Sequence, residues 1–372
     1  MNIATIVGAR PQFIKAAMLS RKILDNNSIN ETIIHTGQHF DSNMSDIFFE
    51  QLGIPYPDIN LGVSNGSALV LLSEMISRLE DPIRNFSPDC IAVYGDTNST
   101  LAGALAGSKL NIPIAHIESG LRSRDNTMPE EINRVITDHI SSYLFTPSRD
   151  ATENLLAENI ATDKIYFVGN IMIDTLVSSM GQIDKSQILQ KLELRPSDTS
   201  QIKPYNVLTL HRPSNVDDTE SLTKLIDSVL NIPSQNPTIF PVHPRSRDKI
   251  ETIINNLKAN KLVCIEPLGY IEFLCLLKHA TLAITDSGGI QEETTHLGTP
   301  CITLRTTTER PITISEGTNT LINPMEPNLT KRIIEVINSQ SSKPARIPEL
   351  WDGKTSQRIA DVLLQYISAN GD

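Results

Sequence analysis

The stretch Leu282-Ala283-Ile284-Thr285-Asp286-Ser287-Gly288-Gly289-Ile290-Gln291-Glu292-Glu293 decides the fold of this chain. Leu282 to Thr285 is a short apolar run and reads as a buried strand. Gly288 and Gly289 permit a tight turn, and Ile290 begins a helix. Backbone N–H groups at the opening of that helix have no partner within it and carry partial positive charge, which favours a phosphate. Glu293, one turn in, is within reach of sugar or ribose hydroxyls attached to that phosphate. Ser287, Gly288, Gly289 and Glu293 are therefore candidate contacts for a nucleotide-linked sugar, although a Gly-Gly pair also serves plain strand-to-helix packing.

The same strand-then-helix unit recurs along the chain. Apolar runs fall at Ile3 to Val7, Thr32 to His35, Cys90 to Tyr94, Ile114 to Ile117, Tyr143 to Phe145 and Ile165 to Val168. A second series falls at Val207 to Leu210, Ile239 to Val242, Leu262 to Ile265, Leu282 to Thr285 and Cys301 to Leu304. Such alternation predicts an α/β fold of two Rossmann-like domains with parallel sheets, facing one cleft. The polar stretch Gly181 to Pro204 is read as a helix and a solvated connection, with the crossing between domains close to Asn170 or Asp174. The expected domains are residues 1–170, joined by a C-terminal helical stretch within 355–372, and residues 171–354.

Size and charge narrow the function. A chain of 372 residues exceeds the usual single core. A formal charge of −11 argues against a nucleic-acid partner, because polyanion affinity comes from basic patches. Cys90, Cys264, Cys275 and Cys301 lie in apolar runs without metal-binding spacing and are expected as reduced core residues. No apolar run approaches membrane-spanning length, and the first residues read as a strand, so no membrane is expected and a cytoplasmic location is.

Ligands of open parallel sheets bind beyond the carboxyl ends of the strands. The residues there are Gly8 and Arg10, Gly37 and Gln38, Asp96, Glu118, Asn170, His211, His243, Asp286 and Ser287, and Arg305. Arg10 and Lys15 stand at the opening of the first helix, where cations oppose the helix dipole and call for an anion; two solvated charges would look the same. Asp96 fits a helix N-cap, whereas Glu118 has no capping explanation. Glu130 is spaced to lie beside Arg134 at i,i+4. Three converging carboxylates suggest acid/base work, and His211 a phosphate donor or proton carrier. His243 reads more readily as structural. Arg305 and Arg310 suit a diphosphate, or an ion pair with Glu309 or Glu293. Walker, dinucleotide and metal motifs are missing, so no cofactor and no metal are expected.

Six ordered segments go further. Gly8-Ala9-Arg10-Pro11 with Lys15, Gly95-Asp96-Thr97, His116-Ile117-Glu118-Ser119-Gly120-Leu121-Arg122, Pro129-Glu130-Glu131-Ile132-Asn133-Arg134, Asp286-Ser287-Gly288-Gly289 and Thr308-Glu309-Arg310-Pro311 together resemble the non-hydrolysing UDP-N-acetylglucosamine 2-epimerases. The resemblance implies a glycosyltransferase-B-like fold, a C-terminal helix that returns to the first domain, a homodimer and a role in polysaccharide biosynthesis. It also implies a reaction in which the proton on carbon 2 is removed, UDP is eliminated, and both return to give the epimer. Asp96, Glu118, Glu130 and His211 match the family's catalytic residues. Arg10, Lys15, Arg134, Phe273, Ser287, Gly288, Gly289, Glu293 and Arg310 match its substrate contacts.

Two segments depart from the family. Gln38-His39-Phe40-Asp41 lacks the arginine of the family's allosteric substrate site, and His211-Arg212-Pro213-Ser214-Asn215 replaces its usual His-Arg-Arg-Glu. Thr36 to Asp41 with Asn43-Met44-Ser45 looks like relatives that act on UDP-2,3-diacetamido-glucuronic acid, whereas Thr308 to Pro311 points back to N-acetylglucosamine. A hydrolysing epimerase, a UDP-sugar glycosyltransferase and a silent nucleotide-sugar sensor are the alternatives.

Overall fold

The computed structural model describes residues 1–25, 28–37, 55–196, 201–233, 236–242, 244–257, 261–340 and 345–370. The segment Gln38 to Ser45 and His243 lie outside the described residues. The chain divides into two compact units, Met1–Ser178 with Glu349–Asp372, and Ser179–Pro348.

In the first unit the strands are β1 (Asn2–Val7), β2 (Asn30–His35), β3 (Ile59–Asn60), β4 (Cys90–Tyr94), β5 (Ile114–Ile117), β6 (Tyr143–Thr146) and β7 (Ile165–Phe167). They form one sheet in the order β3-β2-β1-β4-β5-β6-β7, with every pair parallel. The second unit holds β8 (Asn206–Thr209), β9 (Thr238–Pro241), β10 (Leu262–Ile265), β11 (Leu282–Thr285), β12 (Cys301–Leu304) and β13 (Asn319–Ile322). Their order is β10-β9-β8-β11-β12-β13, again all parallel. All the strands expected from the apolar runs are present. Two were not anticipated: β3 is only a two-residue strand, and β13 opens on the polar Asn319 and Thr320 with only its end residues buried, so neither shows as an apolar run.

The central strands are buried on both faces, which is why they read as continuous apolar runs rather than alternating ones. In each sheet the strand order reverses once, between β1 and β4 in the first unit and between β8 and β11 in the second. Loops leaving those strands diverge to opposite faces and leave a crevice where a ligand can sit.

The unit boundaries fall later at the first crossing and earlier at the second than 170 and 355. Residues 171–178 stay with the first unit because they are tied to it. Thr175 donates to the Ile14 carbonyl at 2.8 Å, and buried Asp174 accepts from the N–H groups of Thr355 (3.0 Å) and Ser356 (2.6 Å), the opening residues of the C-terminal helix Thr355–Asn370. Buried Trp351 donates to the Pro147 carbonyl at 2.9 Å, and Arg358 to the Val168 carbonyl at 3.0 Å. These bonds hold the final segment on the first unit.

Candidate active site

In the first unit the rim is built around Gln12, which is fully buried. Its Oε1 accepts from the N–H groups of Gly8 (2.8 Å) and Ala9 (3.0 Å), while Nε2 donates to Tyr94 O (3.0 Å) and Thr100 Oγ1 (2.9 Å). One amide thus clamps the loops after β1 and β4 together at the strand-order reversal. Gly8 is required by packing: a Cβ there would lie 2.0 Å from Ser99 Oγ and 2.2 Å from Thr36 Oγ1.

Lys15, on the helix Arg10–Leu24, reaches Glu118 at the end of β5, with Nζ 2.5 Å from Oε2. Both side chains are more than nine-tenths buried. Glu118 adopts φ 71°, a left-handed conformation that costs a non-glycine residue on the order of 1–3 kcal/mol. The N–H groups of Glu118 and Ser119 both bond the Phe145 carbonyl, each at 3.1 Å, which forces the chain to bend there. The bend turns the carboxylate to Lys15 instead of along the strand. Gly95 has φ 65°, and a Cβ on it would sit 3.0 Å from Lys15 Nζ.

Asp96 is not the helix cap. Thr97 caps the helix Asn98–Lys109, its Oγ1 accepting from Thr100 N, while the Asp96 carboxylate pairs with Arg134. Arg134 also binds Glu131 at 2.8 Å, an i,i+3 contact in place of the expected i,i+4 contact with Glu130. The helix Pro129–Ile140 buries Glu131 and exposes Glu130 at its first turn. Burial pushes the Glu131 carboxyl up. Hydrogen bonds from the Ser123 and Arg124 N–H groups, with Arg134, outweigh that and hold it below the ordinary carboxylate value. Glu131 therefore organises the 123–134 segment, and Glu130 is the carboxylate presented outward.

Behind these groups, His116 Nδ1 meets Asp138 Oδ1 at 2.6 Å and His116 Nε2 meets the Gly95 carbonyl at 2.7 Å. The other Asp138 oxygen binds Gly120 N (3.1 Å) and Arg122 (2.7 Å). Burial raises the Asp138 carboxyl, but His116 and Arg122 together hold it below its usual range. A lowered folded-state value means that this contribution to stability is complete above the unfolded aspartate pKa of about 3.9 and is lost as pH falls below it. Asp138→Asn should cost about 3–5 kcal/mol at neutral pH, because it removes the buried charge that His116, Arg122 and the Gly120 N–H share. It should also flatten the loss of stability on acidification, measured by urea midpoints between pH 3 and 7.

The second unit has a matching rim. Asp286, after β11, is fully buried and accepts from His211 N (3.1 Å), Arg212 N (3.0 Å) and Asn215 Nδ2 (3.1 Å) on Oδ2. His211 Nδ1 lies 2.8 Å from Oδ1. Burial raises the Asp286 carboxyl, and the bonds from His211, Arg212 and Asn215 bring it below the ordinary value.

The helix after β11 begins at Gly288, not at Ile290, with Ser287 as its N-cap. Neither Gly288 nor Gly289 has a positive φ, so the pair is not a special turn. Gly288 is small because Arg310 crosses over it: a Cβ would lie 2.7 Å from Arg310 Nη1 and 3.0 Å from Glu309 Oε1. Arg310 pairs with Glu309 and, at 2.9 Å, with Glu292, while Arg305 pairs with Glu309 at 2.8 Å. Glu293 is buried and Phe273 half-buried on the helix Tyr270–Lys278. Gln291 ties the turn to the Thr308–Arg310 loop, donating to Ser287 O (3.1 Å) and accepting from Thr308 Oγ1 (2.8 Å).

The structure thus brings Lys15, Gly95, Asp96, Glu118 and Arg134 together at one rim, and His211, Ser287, Gly288 and Arg310 at the other. Arg10 opens its helix. Gln12, His116 and Asp138 were not singled out as functional from the sequence, and Asp286 was named there only by its strand-end position. Each is polar and buried at or beside a strand end, a signal that shows only once the strands are placed. Cys264 is half-buried rather than core; the other three cysteines are buried, and all four are free. Among the described residues no His, Cys, Asp and Glu cluster suits a metal ion, and no helix is long and apolar enough to cross a membrane.

Two parallel α/β sheets, each with candidate site residues at its strand-order reversal, define a protein of the glycosyltransferase-B-like class. The sequence model of the family described as UDP-N-acetylglucosamine 2-epimerase matches residues 21–364, and the chain belongs to that family. It is 41% identical to the UDP-N-acetylglucosamine 2-epimerase of Methanocaldococcus jannaschii, over 98% of this chain and 99% of that protein. It is 42% identical, over the same shares, to the UDP-2,3-diacetamido-2,3-dideoxy-D-glucuronate 2-epimerase of Pseudomonas aeruginosa. The crystal structure of the M. jannaschii enzyme in complex with UDP-GlcNAc and UDP superposes with a TM-score of 0.87 at 40% identity, covering 98% of this chain and all of that one.

Proposed function

We propose that the protein interconverts UDP-N-acetylglucosamine and UDP-N-acetylmannosamine by elimination and re-addition of UDP. The observation that carries this reading is Glu118, a carboxylate turned by a left-handed backbone against buried Lys15 at the strand end where substrate chemistry is expected. In the forward half-reaction the carbon 2 proton passes to a carboxylate of the set Asp96, Glu118 and Glu130. The C2–H electron pair becomes the C1–C2 double bond, and the C1–O pair leaves on the β-phosphate oxygen. Reprotonation of carbon 2 from the opposite face and attack of the same oxygen at carbon 1 complete the epimer. Ser287, Gly288, Gly289 and Arg310 supply N–H dipoles and positive charge for the departing diphosphate, with Glu293 and Phe273 on the nucleoside. Arg10 and Arg134 complete the substrate contacts.

The M. jannaschii relative, whose structure contains UDP-GlcNAc and UDP, supports the choice of sugar. The P. aeruginosa relative supports UDP-2,3-diacetamido-glucuronate as the second substrate to assay. Incubation with each UDP-sugar, followed by separation of nucleotide sugars, tests the reading. A UDP-linked manno epimer is expected with N-acetylglucosamine; free sugar with stoichiometric UDP points to a hydrolase, and transfer to an added acceptor to a glycosyltransferase. Four free cysteines support a reducing, cytoplasmic setting. Exposed Ile132 and Ile136, one turn apart on the helix Pro129–Ile140, support a homodimer.

A further inference from the structure

We propose that Asp286 is a positioning residue for His211, fixing the imidazole as the tautomer whose Nε2 faces the leaving phosphate. The inference rests on the epimerase reading above, in which His211 serves the diphosphate.

The geometry allows one arrangement of the proton. Asp286 is buried and ionised, held below the ordinary carboxylate value by its donors, so it offers only acceptors. His211 Nδ1 lies 2.8 Å from Oδ1 and must therefore carry a hydrogen. The neutral ring then has its lone pair on Nε2, and the imidazolium has its second N–H there. The His211 side chain is 62% exposed against 0% for Asp286, so one end of the pair is sealed and the other is open to a ligand. The backbone reinforces this: the same carboxylate accepts from the His211 and Arg212 N–H groups, anchoring the main chain that carries the ring.

The consequence for the reaction follows from charge. As the C1–O bond breaks, its electron pair stays on the β-phosphate oxygen, and the His211 imidazolium delivers its Nε2 proton to that oxygen. In re-addition the oxygen attacks carbon 1 and Nε2 takes the proton back. Asp286 stabilises the cationic ring between these events without taking up a proton. The charged groups facing Asp286 are His211 itself and Arg212, whose Nε donates to the Asp286 carbonyl at 3.1 Å; Asn215 is a neutral donor.

Asp286→Asn is a close test because the two oxygens carry different donors. Oδ2 receives Arg212 N and Asn215 Nδ2 and shares His211 N with Oδ1, at 3.1 and 3.2 Å, so the amide oxygen keeps more donors at Oδ2 and the NH2 group takes the Oδ1 position, facing Nδ1. The imidazole must then present an acceptor at Nδ1 and carry its proton on Nε2. We expect kcat to fall about 10²- to 10⁴-fold, as for loss of a general acid, with KM within about threefold. His211→Asn should lower kcat by a similar factor, and the double variant Asp286→Asn/His211→Asn should be no slower than His211→Asn alone. Nitrogen-15 NMR of the imidazole should show Nδ1–H in the native protein and Nε2–H in Asp286→Asn, whether or not the enzyme turns over.

Normal kcat in Asp286→Asn, additive losses in the double variant, or an Nε2–H tautomer in the native protein would each overturn the inference while leaving the epimerase reading intact. Normal activity of His211→Asn would overturn both the inference and the assignment of His211. A native enzyme that fails to exchange the carbon 2 proton would remove the epimerase reading instead.

Discussion

Glu118→Gln should lower turnover by about 10²- to 10⁴-fold while leaving UDP affinity within about tenfold of the native value. The carboxylate is the one whose backbone is bent into the left-handed region, and a neutral amide in its place neither accepts nor returns the carbon 2 proton. The same change leaves the Lys15 ammonium, more than nine-tenths buried, without its partner at 2.5 Å. Loss of one member of such a pair costs about 3–5 kcal/mol, so the melting temperature should also fall. The two effects separate in Glu118→Gln/Lys15→Met, where a neutral pair of similar volume replaces the charged one. Stability should recover and activity should not. Turnover within tenfold of native in Glu118→Gln, read by NMR of the nucleotide sugars, would remove Glu118 from the acid/base set.

Gly288→Val should weaken UDP by about 10- to 150-fold. A Cβ at this position meets Arg310 Nη1 at 2.7 Å and Glu309 Oε1 at 3.0 Å, so two further methyl groups push the guanidinium off the helix terminus. Each charge-assisted hydrogen bond lost from the diphosphate is worth about 1.5–3 kcal/mol, which sets the range given. The helix itself tolerates valine at its first residue, and β11 and β12 on either side are unaffected, so unit 2 should keep its fold. Titration calorimetry with UDP alone reads the effect without any dependence on turnover. Unchanged affinity would mean that the Ser287-Gly288-Gly289 terminus does not hold the phosphate.

The fold was legible because both sheets are parallel and covered, so each central strand is a short unbroken apolar run. Strands such as Cys90–Tyr94 and Leu282–Thr285 could be placed to the residue for that reason. β13 escaped because Asn319 is drawn inward by Gln291 and Thr303, a tertiary effect with no local signature. At the site, strand-end position found Glu118, His211 and Asp286. What it missed were choices among neighbours made by packing. Arg134 takes Glu131 and Asp96, so Asp96 is an ion-pair partner and not a cap, and Glu130 is left to face outward. The glycine pair shows the same limit. The sequence suggests a tight turn there, but neither glycine has a positive φ, and only the crossing of Arg310 shows why Gly288 is small.

The central claim is that the carbon 2 proton leaves and returns while UDP departs and re-adds on the enzyme. Incubation with UDP-N-acetylglucosamine in heavy water, followed by proton NMR and mass analysis, tests it most directly. The account predicts UDP-N-acetylmannosamine carrying one deuterium at carbon 2, with the same label entering the recovered substrate as equilibrium is approached. Epimer formed without solvent deuterium, or recovery of unlabelled substrate alone, would contradict it.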